Sequence, residues 1–237
     1  MSSIPLVEVV FEVRFKPQSN FATELLIAIN QQFNNHLNII QTDGLQFPAE
    51  LKKQQHEFYY VPSYRVNFSN FSLLISDGSF VVLKNTFDVE YEGWDIFKNI
   101  PKQILNILKF KNKIADIERY SIKYTNLIQD HLNFKNLNLA LSIGSTKLDG
   151  QTKFSLKTEE QEDEVIIINE VSSHVEMEIF NDITKNKKKL FGVLLVIDII
   201  NNRGVKNISE VDKEFVETLE KLHDIATKKY TNIYNQE

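Results

Sequence analysis

The residues of this chain that could carry out chemistry are few, and they form no known catalytic pattern. The five histidines are far apart, and none belongs to the HExxH or HxH arrangements that place two imidazoles on one metal ion. His131 follows an aspartate and His174 stands two residues before a glutamate, so either could act as a general base. Because surface or partly buried polar residues account for both positions better than catalysis does, His131 and His174 are weak candidates for catalysis.

Asp198 is the third weak candidate, because it interrupts the otherwise apolar residues 193–200. An isolated buried carboxylate is costly, so this side chain needs solvent, a basic partner or backbone donors. Arg14, Arg119 and Lys123 lie on other predicted strands and could supply the base. Two interpretations stay open, a structural ion pair and a catalytic acid or ligand anchor.

Composition excludes several kinds of site. The 237 residues include no cysteine, which excludes a disulfide scaffold, a thiolate nucleophile and a cysteine-based metal site. The seven glycines are scattered and form no phosphate-binding loop. We therefore expect no metal and no cofactor. A net charge of −5, from 27 basic and 32 acidic residues, argues against a dedicated nucleic-acid binder.

Short basic clusters nevertheless keep an RNA-related function open. They comprise Lys109, Lys111 and Lys113, then Lys187, Lys188 and Lys189, and finally Lys228 and Lys229. Phe110 and Phe191 adjoin two of these clusters, and aromatic rings beside basic groups suit nucleic acid. A nucleic-acid surface would need the clusters on one face, whereas solvated loops would not.

Hydropathy predicts a chain that stays in the cytoplasm. No segment approaches the roughly 18 to 20 apolar residues that span a bilayer, and the best run, residues 190–200, contains Asp198. The first 15 residues alternate and lack a basic leader, so they predict no signal peptide.

The elements that must position these residues begin with a clear strand. From residue 7 to residue 15 every odd position is apolar, whereas Glu8, Glu12 and Arg14 occupy even positions. This period of two predicts a strand inside a sheet with one buried face. A helix follows, for which Asn20 is the expected N-cap. Residues 34–56 show no regular pattern apart from a turn signal at residues 43–44.

The rest of the chain alternates strands and helices. Strands are predicted at residues 64–69, 71–76, 80–84, 117–128, 153–158, 164–170, 174–180 and 190–200, with a hairpin turn at Asp77 and Gly78. Helices are predicted after residue 91, with Pro101 inside the pattern, and from residue 210 to about 234. This order indicates an α+β fold of mostly antiparallel sheet covered by three main helices.

The predicted elements allow up to two α+β lobes. We place an N-terminal α+β lobe at residues 1–130, and an antiparallel sheet with the long last helix at residues 131–237. The two parts could also form one compact domain.

The last helix is longer than one sheet needs for cover, at roughly 37 Å for 1.5 Å per residue. Val216, His223 and Tyr234 flank its apolar stripe, and we expect them to line a contact with another lobe or a second subunit. Because buried polar groups need partners, we also expect His223 to orient a neighbouring strand through a hydrogen bond.

Six segments follow one another along the chain: PLVEVVFEVRF, SDGSFVVLKN, YEGWDIF, RYSIKYTNLI, LLVIDI and LEKLHDIATKKY. As an ordered set they resemble a family of uncharacterised, sporadically distributed bacterial proteins, and the resemblance covers nearly the whole chain. It implies no established activity. A patchy distribution suggests carriage on mobile DNA, which often encodes antiphage defence, toxin–antitoxin or phage-related functions.

These observations favour a non-enzymatic protein-interaction module, acting as an adaptor, sensor or neutralising partner in a bacterial defence or toxin-linked system. Strand edges are ready docking surfaces, and we expect the partner to be another protein, encoded nearby, or a second copy of the chain. One alternative is an RNA-binding or RNA-cleaving protein that uses basic residues with His131 or His174. The other is a small-molecule enzyme with a pocket near Asp198.

Overall fold

A computed structural model describes residues 6–33, 35–86, 91–110, 116–129, 137–140, 142–147, 152–180, 187–203 and 211–234. The candidate base His131 lies outside these residues, and so do Lys111 and Lys113.

Nine of the described strands form one sheet. They are β1 (Leu6–Phe15), β2 (Asn38–Gln41), β3 (Tyr64–Asn67), β4 (Ser72–Ile75), β5 (Ser79–Asn85), β6 (Ile117–Ile128), β9 (Ser155–Glu162), β10 (Val165–Phe180) and β11 (Lys187–Asn201), and a separate small hairpin joins β7 (Ser142–Ile143) to β8 (Thr146–Lys147). The order across the sheet is β2-β3-β4-β5-β1-β6-β11-β10-β9, and every neighbouring pair is antiparallel. The predicted α+β class with antiparallel sheet is confirmed.

The sheet is organised around its two central strands, β1 and β6. The meander from β2 to β5 returns to the side of β1, and the meander from β9 to β11 returns to the side of β6. One continuous sheet therefore contains strands from both predicted parts, residues 1–130 and 131–237. Their division into separate domains stays a prediction.

The described α-helices are α1 (Phe21–Gln32), α2 (Ala49–Gln54), α3 (Trp94–Phe97), α4 (Asn99–Phe110) and α5 (Val211–Ile233), and two 3₁₀ segments cover Asp43–Gln46 and His56–Tyr60. None of the helices in the described ranges is both long and apolar enough to cross a membrane.

Alternation along β1 defines the two faces of the sheet. Val9, Phe11, Val13 and Phe15 are 0% exposed. Phe15 contacts Phe21 of α1, and Phe11 contacts Phe215 of α5, so both helices cover this side, which we call the helix face. The even positions of β1 are half-buried on the opposite side, which we call the open face. The prediction that β1 is internal to a sheet is confirmed.

The start of α1 is capped from far along the chain. Asn20 has a φ of 65° and makes no side-chain cap, contrary to the sequence prediction. Asp77 in the turn between β4 and β5 instead accepts the N–H of Ala22 at Oδ1, over 3.0 Å. Its Oδ2 lies 2.7 Å from Nζ of Lys52. The predicted hairpin turn thus also anchors two helices.

A bend divides β10, so the two strands predicted at residues 164–170 and 174–180 form one strand. The pairing register of β10 with β11 shifts between Ser172 and Val175, and His174 between them has a φ of 54°. On β11, a Cβ added to Gly192 would lie 2.3 Å from the carbonyl oxygen of Ile128, so only glycine fits this close approach. Beyond the bend, residues 175–180 and 187–192 pair with each other and with no other described strand, which makes them a two-stranded arm.

Candidate functional site

The described residues of the six segments quoted above lie on adjacent strands and on two helices that pack together. They form the adjacent strands β5, β1, β6 and β11, together with α3 and α5, which lie on the helix face or beside it. The pairing register places Lys84, Val9, Tyr124 and Ile197 in one row across these four strands. Segments far apart in the chain therefore contribute to one cluster.

His223 of α5 is the centre of this cluster. Its ring stacks on Trp94 of α3, with centroids 4.2 Å apart and planes 7° from parallel. Nδ1 of His223 lies 2.7 Å from the hydroxyl of Tyr124 on β6. The hydrogen bond to a neighbouring strand that the sequence predicts for this histidine is therefore present.

Ionic contacts hold α3 against α5 around the same histidine. Trp94 Nε1 donates to Glu220 Oε2 over 2.6 Å. Lys98 Nζ lies 2.9 Å from Glu220 Oε1 and also contacts Asp95. Together with the stacked rings, these contacts form a clasp, by which we mean residues Trp94, Lys98, Tyr124, Glu220 and His223. The ring and the N–H of Trp94 are both occupied by residues of α5, so Trp94 ties α3 to that helix.

Burial shifts the pKa values of two members of the clasp, His223 and Tyr124. Desolvation lowers the pKa of His223, against the opposing influence of Asp224 and Glu220, so the neutral imidazole is favoured. Burial likewise raises the pKa of the Tyr124 hydroxyl, which stays protonated. Two neutral groups sharing a hydrogen bond, with the imidazole stacked on an indole, suit a structural link better than proton transfer to a substrate.

Lys84 is an unexpected charged member of the buried row. It is 1% exposed, and its Nζ lies 2.9 Å from Oε2 of Glu92. Glu92 belongs to the segment just before α3, so this ion pair ties that segment to β5. A buried lysine is rare unless paired, and the sequence signal for Lys84 is its position in phase with Phe80 and Val82 along β5.

The other predicted contact residues of α5 lie elsewhere along the helix. Val216 is half-buried, one helical turn toward the N-terminus of α5 from Glu220 of the clasp. Tyr234 pairs with Leu137 of the same chain through an isolated bridge. Lys229 binds Glu160 and Glu162 of β9. The distal end of α5 thus contacts the edge of its own sheet, and whether these residues also meet a partner stays a prediction.

Asp198 lies on the open face, because its neighbours Ile197 and Ile199 are 0% exposed on the helix face. It stands opposite Lys123 of β6, one of its three predicted partners. Burial raises the pKa of Asp198, and the positive charges of Lys123 and Arg119 oppose that effect. Within the described residues its Oδ1 has no hydrogen-bond partner.

Other charges of the open face also form ion pairs, among them Lys123 with Glu8 over 3.8 Å. Glu12 accepts from Arg14 and from Arg119, each over 3.0 Å. Arg14, another predicted partner of Asp198, thus pairs with Glu12 and also lies over the ring of Tyr60. The structure therefore brings Asp198 near two of the bases that the sequence nominated, without a histidine among the groups that shift its pKa.

His174 is remote from this carboxylate, at the bend before the arm. Its Nδ1 lies 3.2 Å from Ser173 Oγ, and its ring meets Phe191 edge-on at 6.1 Å. In the part of the chain that the structure describes, no three histidine or acidic side chains are grouped so as to hold a metal. An apolar groove of about 220 Å³ lies between α1 and α4, and Asp198 does not line it.

The chain matches no protein-family model and no curated protein.

Proposed function

We propose that this chain is a non-enzymatic protein-interaction module whose docking element is the arm. In this proposal it serves as an adaptor, sensor or neutralising partner in a bacterial defence or toxin-linked system, in the cytoplasm. The arm supports the proposal because its paired strands carry aromatic side chains that are exposed to solvent. Phe180 is 42% exposed and Phe191 is 48% exposed.

The two sides of the arm differ in a way that suits docking. Ile179 on the inner side packs with Val7 and Leu127 in a small apolar cluster, which fixes the arm to the body of the sheet. The outer side carries Phe180 and Phe191 and remains in solvent. Exposed aromatic groups on a preorganised element are the usual anchors of protein interfaces, since little conformational freedom is lost when they bind.

The charges of the arm favour a protein over a nucleic acid. Lys187 binds Glu178 over 2.8 Å, and Lys189 binds Glu176 over 2.9 Å, both on the outer side. Phosphate binding needs cations that are not already neutralised by neighbouring carboxylates. The alternating charges give partner specificity instead, as rim charges do around apolar anchors.

The experiment compares three baits in lysate of the native cells: the wild type, a Phe180→Ser and Phe191→Ser double variant, and an Ile96→Ser control. Ile96 is 51% exposed on α3, away from the arm. We expect a protein that the wild type and the control retain and the arm variant loses. Thermal melting must show that all three baits are equally folded. The proposal fails if the arm variant retains every partner, or if the retained material is nucleic acid sensitive to nuclease.

Asp198 favours a second candidate function, a small-molecule enzyme that uses the open face. A carboxyl group with a raised pKa beside Lys123 and Arg119 could act as a proton donor. Replacing Asp198 by Asn preserves the shape and removes the acid. If the Asp198→Asn variant folds but loses its cellular function, while the arm variant keeps it, the enzymatic function is favoured over the interaction module.

A further inference from the structure

The two edges of the sheet differ in how they are protected from pairing with another strand. β9 forms one edge and carries four exposed charged side chains, Lys157, Glu159, Glu160 and Glu162, the last two of which bind Lys229 of α5. Charged side chains on an edge discourage pairing, most of all with an identical strand. This edge is therefore unsuited to association with a second copy.

The opposite edge, β2, lacks this protection. Its four residues, Asn38–Gln41, are all exposed, and none is charged. Ile39 is 40% exposed, Ile40 is 38% exposed, and the preceding Leu37 is 52% exposed. An exposed apolar edge strand without charge is a template for pairing with another strand.

Hydrogen bonding on the inner side shows which backbone groups face outward. The N–H of Thr42 donates to the carbonyl of Ser63 over 3.0 Å. Alternate residues of an antiparallel strand direct their backbone groups the same way, so Ile40 and Asn38 also face β3. Ile39 and Gln41 direct their N–H and C=O groups away from the sheet. No other strand of the described residues pairs with that side.

We propose that β2 pairs antiparallel with β2 of a second copy of this chain, about a two-fold axis through Ile40. In this register Ile39 of each copy lies opposite Gln41 of the partner subunit. Both residues direct their backbone groups outward, so the two pairs make four hydrogen bonds. Ile40 meets Ile40 of the partner subunit at the closer, non-hydrogen-bonded position between them.

A second copy fits this edge because the strand is complementary to itself. A two-fold interface requires one surface to serve both sides, and here the outward-facing residues occupy matching positions on either side of Ile40. No like charges face each other across the axis, because β2 carries no charged residue. Pairing buries the exposed isoleucines and satisfies backbone groups that otherwise depend on water.

The absence of native cysteine makes the register directly testable. Non-hydrogen-bonded partners have Cα atoms about 4.5 Å apart, within disulfide range, so an Ile40→Cys variant should form a cross-linked dimer under mild oxidation. The Cα atoms of Ile39 in the two copies are offset by two residues along the strands and lie about 8 to 9 Å apart. An Ile39→Cys variant should therefore cross-link far less. Equal cross-linking of the two variants, or none by Ile40→Cys, would overturn the proposed register.

Light scattering tests the dimer without a covalent bond. The wild type should show a mass of about 55 kDa, twice the 27.6 kDa chain. Ile40→Lys should give the monomer mass, because it places two like charges at the axis, while Ile96→Lys should stay dimeric. Gln41→Pro removes one outward donor per copy without touching a β3 bond, and should raise the dissociation constant roughly tenfold to a hundredfold.

A wild type that stays monomeric at high micromolar concentration would overturn the proposal, as would a dimer that Ile40→Lys leaves intact. The arm variant Phe180→Ser with Phe191→Ser should keep the dimer mass, so failure of this proposal is separable from failure of the proposed function.

Discussion

Replacing Phe11 by Ala should test the central packing of the molecule more sharply than any other single change. Phe11 is 0% exposed, and its ring meets Phe215 edge-on with centroids 5.8 Å apart. Removal of a fully buried phenylalanine side chain costs about 3 to 5 kcal/mol, from lost burial and the cavity left behind. That is a large part of the roughly 5 to 15 kcal/mol by which a domain is stable.

The contact with Phe215 predicts coupling between the start and the end of the chain. In a double-mutant cycle with Phe215→Ala, the two changes should be non-additive by about 0.5 to 1.5 kcal/mol, the usual contribution of an aromatic pair beyond burial. Val10→Ala is the matched control, since Val10 lies next in the strand on the open face and is half-buried. Its loss should be about 1 kcal/mol or less.

The assay is urea unfolding followed by circular dichroism and by the fluorescence of the single tryptophan. Because Trp94 belongs to the clasp beside α5, the two signals should change together if β1 and α5 unfold as one unit. A loss below about 1 kcal/mol for Phe11→Ala, or strict additivity with Phe215→Ala, would refute the packing described here.

Other substitutions test individual sites by the same unfolding measurement. Lys84→Met should leave stability within about 1 kcal/mol of the wild type or raise it, because it removes a buried charge and leaves Glu92, which is 40% exposed, in water. A loss above about 3 kcal/mol would contradict this. Asp198→Asn should raise the melting temperature at neutral pH, because the raised pKa of Asp198 means that its ionisation opposes folding. This increase in melting temperature should shrink as the pH falls toward 3.8, since the wild-type carboxyl group then becomes protonated. The lowered pKa of His223 has the opposite effect on the pH dependence of stability. The stabilising contribution of the neutral imidazole is fully present above pH 6.5 and is lost as the pH falls through the lowered pKa. In that acidic range, His223→Asn should therefore make the free energy of unfolding depend less on pH. Gly192→Ala should cost about 1 to 3 kcal/mol, since its Cβ would press on backbone, and limited proteolysis should then cut the arm faster.

Elements with strong local periodicity could be predicted from the sequence. The alternation along β1 places its odd positions in the core, as observed. The apolar stripe of the last helix predicts residues 210 to 234, and α5 covers Val211–Ile233. In both cases a single period relates every residue to one buried face, so no distant contact is needed to recognise the element.

Other elements depend on contacts that no local pattern encodes. β2 is exposed along its length, so it has no buried face to produce alternation, and it is a strand only because β3 pairs with it. The bend in β10 arises where Gly192 of the adjacent strand approaches the carbonyl of Ile128. The cap of α1 comes from Asp77 and not from the adjacent Asn20, because tertiary packing brings that carboxylate to the helix start.

The candidate site shows the same division. The sequence by itself determined that Asp198 interrupts an apolar strand, that His223 needs a partner and that the chain has no cysteine chemistry, because these follow from residue type and neighbours. Only the tertiary structure decided that His223 stacks on Trp94 and bonds Tyr124, while His174 lies at a bend remote from Asp198. The physical reason is that strand order sets which distant residues meet. Here that order places β5, β1, β6 and β11 side by side, and no local period records it.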